Sequence, residues 1–133
     1  GKGKILKNGK DVTIVACGVE VSRAIAASDI LSKKGIDATV INMSTIKPID
    51  KDLLLKCAEH TGCFVTAEDH NIIGGLGGAV SECLAQNKPC PIEFVGVKDI
   101  FGESGEPEEL AIKYKLTAEF IAEAAIRSFK RKK

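Results

Sequence analysis

Cys63-Phe64-Val65-Thr66-Ala67-Glu68-Asp69-His70-Asn71-Ile72-Ile73-Gly74-Gly75-Leu76-Gly77-Gly78-Ala79-Val80 is the stretch around which the chain is organised. It opens as a short apolar run rich in β-formers. It then turns acidic and polar, passes through four glycines and continues in a helical pattern. A strand, a loop and a glycine-rich helix start is where an α/β protein places a site. Glu68, Asp69 and His70, one of two histidines, fall at the carboxyl end of that strand.

On the amino-terminal side, Asp50 reads as the N-cap of a helix reaching about Thr61, with Asp52 in its first turn and Gly62 closing it. Asp11 to Cys17 is β-branched and almost wholly apolar, so it predicts a strand covered on both faces. Ile36 to Met43 predicts another. Between them, Val19 to Lys34 is helical, with Val21, Ala24, Ile25, Ser28 and Leu31 on its inner face and Gly35 following as a C′ residue. Ile5 and Leu6 predict a brief first strand, and Asn8-Gly9 is a tight-turn signal.

On the carboxyl-terminal side, a helix runs from about Gly75 to Asn87, and Pro89 and Pro91 mark a loop. Ile92 to Val97 is a strand, and Asp99 to Glu106 an irregular loop. Pro107 starts a short helix to about Lys113. Thr117 caps a last amphipathic helix carrying Phe120, Ile121, Ala124, Ala125 and Phe129. Strands that alternate with helices and read as buried predict a mostly parallel sheet with helices on both faces. Ile14, Val40, Val65 and Val95 belong at its middle.

With 133 residues, 44% of them apolar, the chain is expected to form one domain, residues 1–133, with a sizeable core. A net charge of +1 supplies no field for nucleic acid or an anionic membrane, and no apolar run reaches the ~20 residues of a membrane span. Five cysteines, an odd number with no CxxC pair and apolar neighbours, predict free buried thiols and a cytoplasmic home. Without an initiator Met, the chain reads as a fragment of something longer. The basic tail Lys130 to Lys133 is expected to be solvated.

The glycines match a dinucleotide fingerprint loosely. The sixth position is Val80, Asp69 to Ile73 separate the loop from the strand, and the next strand ends at Lys98 rather than at a carboxylate. Close backbone packing is the simpler reason for them. Glu68, Asp69 and His70 could act as an acid/base set or bind a metal, but His60 is too far away in the pattern to be placed as a second ligand. The simpler alternative is a hydrogen-bonded strand end that faces a partner domain. Cys17 precedes a helix start, which lowers a thiol pKa, yet a buried structural thiol fits its neighbours better. The set is incomplete as a catalytic site, which suggests a domain that assists an active site built elsewhere. Gly18, Glu68, Asp69, His70, Gly74, Gly75 and Gly77 are the crevice or interface candidates. The alternative is a stand-alone small-anion or nucleotide binding module that uses the glycine-rich loop.

Three motifs in order carry a resemblance: Thr45-Ile46-Lys47-Pro48-Ile49-Asp50; Ala67-Glu68-Asp69-His70-Asn71-Ile72-Ile73-Gly74-Gly75-Leu76-Gly77; and Phe101-Gly102-Glu103-Ser104-Gly105 with Pro107-Glu108-Glu109-Leu110. From about Gly3 to Ile126 the chain resembles the carboxyl-terminal domain of transketolase, of the split bacterial type. The same domain type occurs in 1-deoxyxylulose-5-phosphate synthase and in 2-oxo-acid dehydrogenase beta subunits. The resemblance implies a three-layer α/β/α fold with a five-stranded mixed, mostly parallel sheet, order 1-3-2-4-5, the first strand antiparallel. That order conflicts with a tight hairpin at Asn8-Gly9, and it takes precedence.

The resemblance further implies a structural or regulatory domain of a transferase of the pentose phosphate pathway. In that assembled homodimer, thiamine diphosphate and a divalent metal such as Mg sit between two other domains, and sugar phosphates are the substrates. It therefore assigns no catalytic, cofactor or metal residue to this chain. Its partners are the other transketolase domains or subunit, with no nucleic acid and no membrane. Lys115 departs from the family's Lys-Tyr-Gly-Leu pattern and is expected in left-handed backbone, at about 1 kcal/mol.

Overall fold

The computed structural model describes residues 2–71, 75–97, 107–113 and 115–132. The strands are β1 (Lys4–Lys7), β2 (Val12–Ala16), β3 (Ala38–Asn42), β4 (Phe64–Asn71) and β5 (Ile92–Val97). The helices are α1 (Glu20–Lys33), α2 (Lys51–Thr61), α3 (Leu76–Asn87), α4 (Pro107–Lys113) and α5 (Ala118–Lys130). The loop expected over residues 99–106 lies outside the described residues. No helix among the described residues is long and apolar enough to cross a membrane.

The strands form one five-stranded sheet in the order β1-β3-β2-β4-β5. β1 is antiparallel to β3, and every other pairing is parallel. Side chains alternate along each strand, so the sheet separates two cores. Val12, Ile14, Ala16, Val40, Val65 and Val95 pack with α1, α4 and α5. Val15, Ile41, Met43 and Phe64 pack with α2 and α3 on the other face. The helices that follow β2 and β4 thus lie on opposite faces. Ile14, Val40 and Val65 are fully buried on the inner strands as predicted, and Val95 is nearly so, but on the edge strand β5.

The Asn8-Gly9 hairpin does not form, because β1 pairs with β3 rather than with β2. Gly9 serves a close approach instead. Its N–H donates to Thr39 Oγ1 at 2.9 Å, and the Thr39 hydroxyl donates to the Gly9 carbonyl at 2.7 Å. A Cβ at Gly9 would stand 2.5 Å from the Ala38 carbonyl oxygen.

Other local expectations shift as well. The inner face of α1 is Glu20, Val21, Ala24, Ala27, Ser28 and Leu31, while Ile25 is 40% exposed. Thr117 occupies the N-cap position of α5 without a side-chain cap bond. Lys115 does adopt left-handed backbone, with φ of 60°.

Within the basic tail Lys130 and Arg131 are exposed as expected, whereas Lys132 is bonded to the fold. Lys132 Nζ donates to the carbonyls of Asp11 and Thr61, each at 2.9 Å. Arg127 Nε and Arg131 Nη1 reach the two carboxylate oxygens of Glu93 at 3.0 and 2.7 Å. Ser128 Oγ donates to the Phe64 carbonyl at 2.8 Å. The end of α5 lies across the amino ends of β2, β4 and β5, where carbonyls with no strand partner need donors.

Two outcomes follow from this packing. Val65→Ala is expected to cost about 2 kcal/mol in urea unfolding, since the site lies under helices and beside two strands and has little freedom to collapse. Burial disfavours the Glu93 charge, but the hydrogen bonds from Arg127 and Arg131 outweigh it and hold the carboxyl below its ordinary range. A pKa lowered by folding contributes stability above the unfolded value of about 4.3 and loses it as pH falls through the folded value. Wild type is therefore expected to lose more stability than Glu93→Gln when denaturation is measured from pH 6 down to pH 3.

Candidate functional site at the carboxyl edge of the sheet

β2 and β4 are neighbours, and the chain leaves them for opposite faces of the sheet. Their carboxyl ends therefore meet at the switch point of the topology, where open α/β sheets form a crevice. Gly18 follows β2 at the rim with φ of 62°, a region that favours glycine. A Cβ on it would face Asp69 Oδ1 of β4 at 3.6 Å. Val19, beside Gly18, is 57% exposed. Asp69 is half-buried, and Gly75 partly so.

Glu68 shares the parity of Phe64 and Thr66, so its side chain points to the α3 face of the sheet. It is 1% exposed. The Leu76 N–H donates to its Oε1 at 2.8 Å, and the Gly77 N–H donates to its Oε2 at 2.7 Å. These amides open the first turn of α3, where backbone donors lack intrahelical partners and the helix dipole is positive. Gly75, at the N-cap position, has no side chain to offer. The cap thus comes from the preceding strand. A local capping signature looks three residues ahead, not eight back, and so does not reveal it. The parity of Glu68 and the missing Ser, Thr, Asp or Asn before the helix were the available signals.

Glu20 in the first turn of α1 is fully buried, and Arg23 Nη1 lies 2.8 Å from its Oε1. Cys17 is the last residue before the crevice. Burial pushes its thiol up to about 11, and the charges of Glu68, Asp69 and Glu20 add to the rise. The thiol is a protonated, structural group at neutral pH, the opposite of a helix-activated nucleophile.

The side chain of His70, like Gly74, lies outside the described residues. His60 sits at the far edge of the sheet, in the last turn of α2. It borders two open grooves of about 400 Å³ each, whose walls include Lys56, Glu59, Lys88 and Cys90. Among the described residues, no group of three or more His, Cys, Asp or Glu side chains is placed to hold a metal ion.

The sequence profile of the family described as transketolase, C-terminal domain, matches residues 1–121. The chain belongs to that family. A transketolase C-terminal domain of this kind is also present in its relatives. The chain is 46% identical over 132 residues to the 6-deoxy-6-sulfo-D-fructose transketolase subunit of Clostridium sp. (strain MSTE9), covering 99% of this chain and 41% of that protein. It is 46% identical, over 98% of its length and 41% of the relative's, to a putative transketolase C-terminal section of Methanocaldococcus jannaschii. A solved split-gene transketolase, described as an inactive beta4 tetramer, superposes with a TM-score of 0.95 at 47% identity, covering 99% of this chain and 43% of that one. The chain spans about two fifths of the length of these relatives.

Thiamine diphosphate is the cofactor that the transketolase family implies, and the start of α3 does not fit its diphosphate. The positive end of α3 already holds a carboxylate on its first two amides, and a second anion there would meet that charge. The same geometry argues against the anion-binding alternative for this loop.

Glu68→Gln tests the cap. A neutral amide offers one acceptor oxygen to two N–H groups, so a loss of about 1–3 kcal/mol is expected in urea unfolding. The pH midpoint of Cys17 alkylation should also fall, because one of the charges that raises the thiol is gone. An unchanged midpoint would contradict this account of the acidic crevice.

Proposed function

We propose that this chain is the carboxyl-terminal part of a thiamine-diphosphate-dependent transketolase that transfers two-carbon ketol units between sugar phosphates in the cytoplasm. In this reading residues 1–133 form one domain of a longer or split enzyme. The cofactor and its divalent metal are held by other domains, in a homodimer. The relative named for 6-deoxy-6-sulfo-D-fructose widens the substrate class to anionic ketoses in general.

The domain's own part is docking. The docking residues at the crevice edge are Gly18, Asp69 and Gly75, with His70 and Gly74 of the same stretch, against the neighbouring domain or the partner subunit. The observation that carries this is the α3 start. Its amides are neutralised from inside by Glu68, so it is prepared for close contact rather than for an anion. Gly75 has φ of −98°, a value open to any residue, so its missing side chain is not a demand of its own φ. Close approach from outside accounts for it. Val19 leaves an apolar side chain exposed at the same rim, as contact surfaces do.

Gly75→Val in the whole enzyme is expected to weaken assembly and transfer activity together, read by size-exclusion chromatography and a ketol-transfer assay, with the thermal transition of the domain retained. His70→Ala should act in the same direction. Wild-type assembly and turnover in both would sink the docking reading. Micromolar binding of thiamine diphosphate by residues 1–133 alone, measured by calorimetry, would contradict placing the cofactor elsewhere.

A further inference from the structure

Asp50 makes two bonds where a helix cap needs one. It stands at the N-cap of α2, 8% exposed. Its Oδ1 accepts the Leu53 N–H at 3.2 Å, which is the cap. Its Oδ2 accepts the Gly3 N–H at 2.9 Å, from a residue 47 positions earlier. Burial opposes the charge, and these two backbone donors outweigh it and lower the carboxyl below its usual range.

Gly3 sits against the ends of two side chains. A Cβ there would stand 2.8 Å from Leu53 Cδ2 and 3.0 Å from Met43 Cε. The backbone at this point is thus pressed onto the side chains that follow β3 and begin α2.

The position matters because β1 runs antiparallel to its neighbour. Lys4 pairs with Asn42, the last residue of β3, and Asn42 pairs with Ala16 of β2. The Met43 N–H continues the row to the Ala16 carbonyl at 2.8 Å. Gly3 therefore lies at the carboxyl edge of the parallel strands, on the edge that carries the crevice. Polypeptide preceding Gly3 leaves the sheet from that edge.

We propose that Asp50 and Gly3 form a latch that fixes the position and direction of the polypeptide preceding Gly3, and so orients an upstream domain over the crevice. This rests on the docking reading above. Asp50 is here a positioning residue. It touches no substrate, and its charge holds a backbone amide that would otherwise move with a short edge strand.

Asp50→Ser separates the latch from the cap. A serine hydroxyl still caps the Leu53 N–H but is too short to reach Gly3 as well. Gly3→Val is the complementary change, since it overfills the seat and leaves Asp50 intact. In the full-length enzyme with its partner, both variants are expected to retain a cooperative thermal transition. Amide exchange over Lys4–Lys7 should quicken about tenfold, and transfer activity should fall about tenfold or more through misplacement of the neighbouring domain.

Wild-type exchange and turnover in both variants would overturn the latch. So would a loss of activity that only tracks a smaller folded fraction. Gly75→Val, run in parallel, keeps the two ideas apart. If it is silent while Asp50→Ser is impaired, the latch stands and the docking face lies elsewhere on that edge. If it is impaired while Asp50→Ser is normal, the docking face stands and the latch falls.

Discussion

The carboxyl edge of this domain depends on one interaction, the carboxylate of Glu68 on the first amides of α3. A carboxylate with 1% exposure is costly unless its charge is met by strong donors. Two short charge-assisted bonds and the positive end of a twelve-residue helix meet it here. The bond fixes the end of β4 relative to the start of α3, and that relation defines the crevice. It also frees the N-cap position from needing a side chain. A glycine stands there at the rim, and the surface stays low.

The two edges of the sheet are built for different purposes. At the amino edge, the end of α5 supplies donors to strand and helix carbonyls through Ser128 and Lys132. Thr13 and Thr61 join their hydroxyls at 2.7 Å at the same edge. These bonds tie the end of the chain to that edge, beside the two grooves that His60 borders. At the carboxyl edge the buried acids Glu20 and Glu68 are turned inward, while Gly18 and Val19 stay exposed.

Most elements were readable from local pattern alone. β2 and β3 are covered on both faces and so read as mostly apolar, β-branched runs. α2 carries its own start and stop, Asp50 and Gly62, which is why its limits are matched to a residue. The failures share a cause. Asn8-Gly9 is a hairpin signal only if the following strand is the partner, and here β3 takes that place. Lys132 reads as solvated only while the carbonyls of Asp11 and Thr61 are far away in sequence. The inner face of α1 keeps Val21, Ala24, Ser28 and Leu31 and gains Glu20 and Ala27, while Ile25 falls outside it.

The candidate site divides in the same way. That a strand end, two acids and a glycine-rich helix start fall together follows from the order of residues 63–80, because these groups are covalent neighbours. The burial of the strands and the alternation that forces a mostly parallel sheet are likewise properties of the pattern, since period and hydrophobicity are local. The fold decided what each acid does. Glu68 became a helix cap because β4 and α3 pack face to face. Cys17 became an inert thiol because its burial, with the charges of Glu68, Asp69 and Glu20 added, raises its pKa. Asp50 acquired a second partner because an antiparallel edge strand brings Gly3 back to the start of α2. Each of these is a contact between segments far apart in sequence or on different elements, and the free energy of such a contact depends on a geometry that no local pattern encodes.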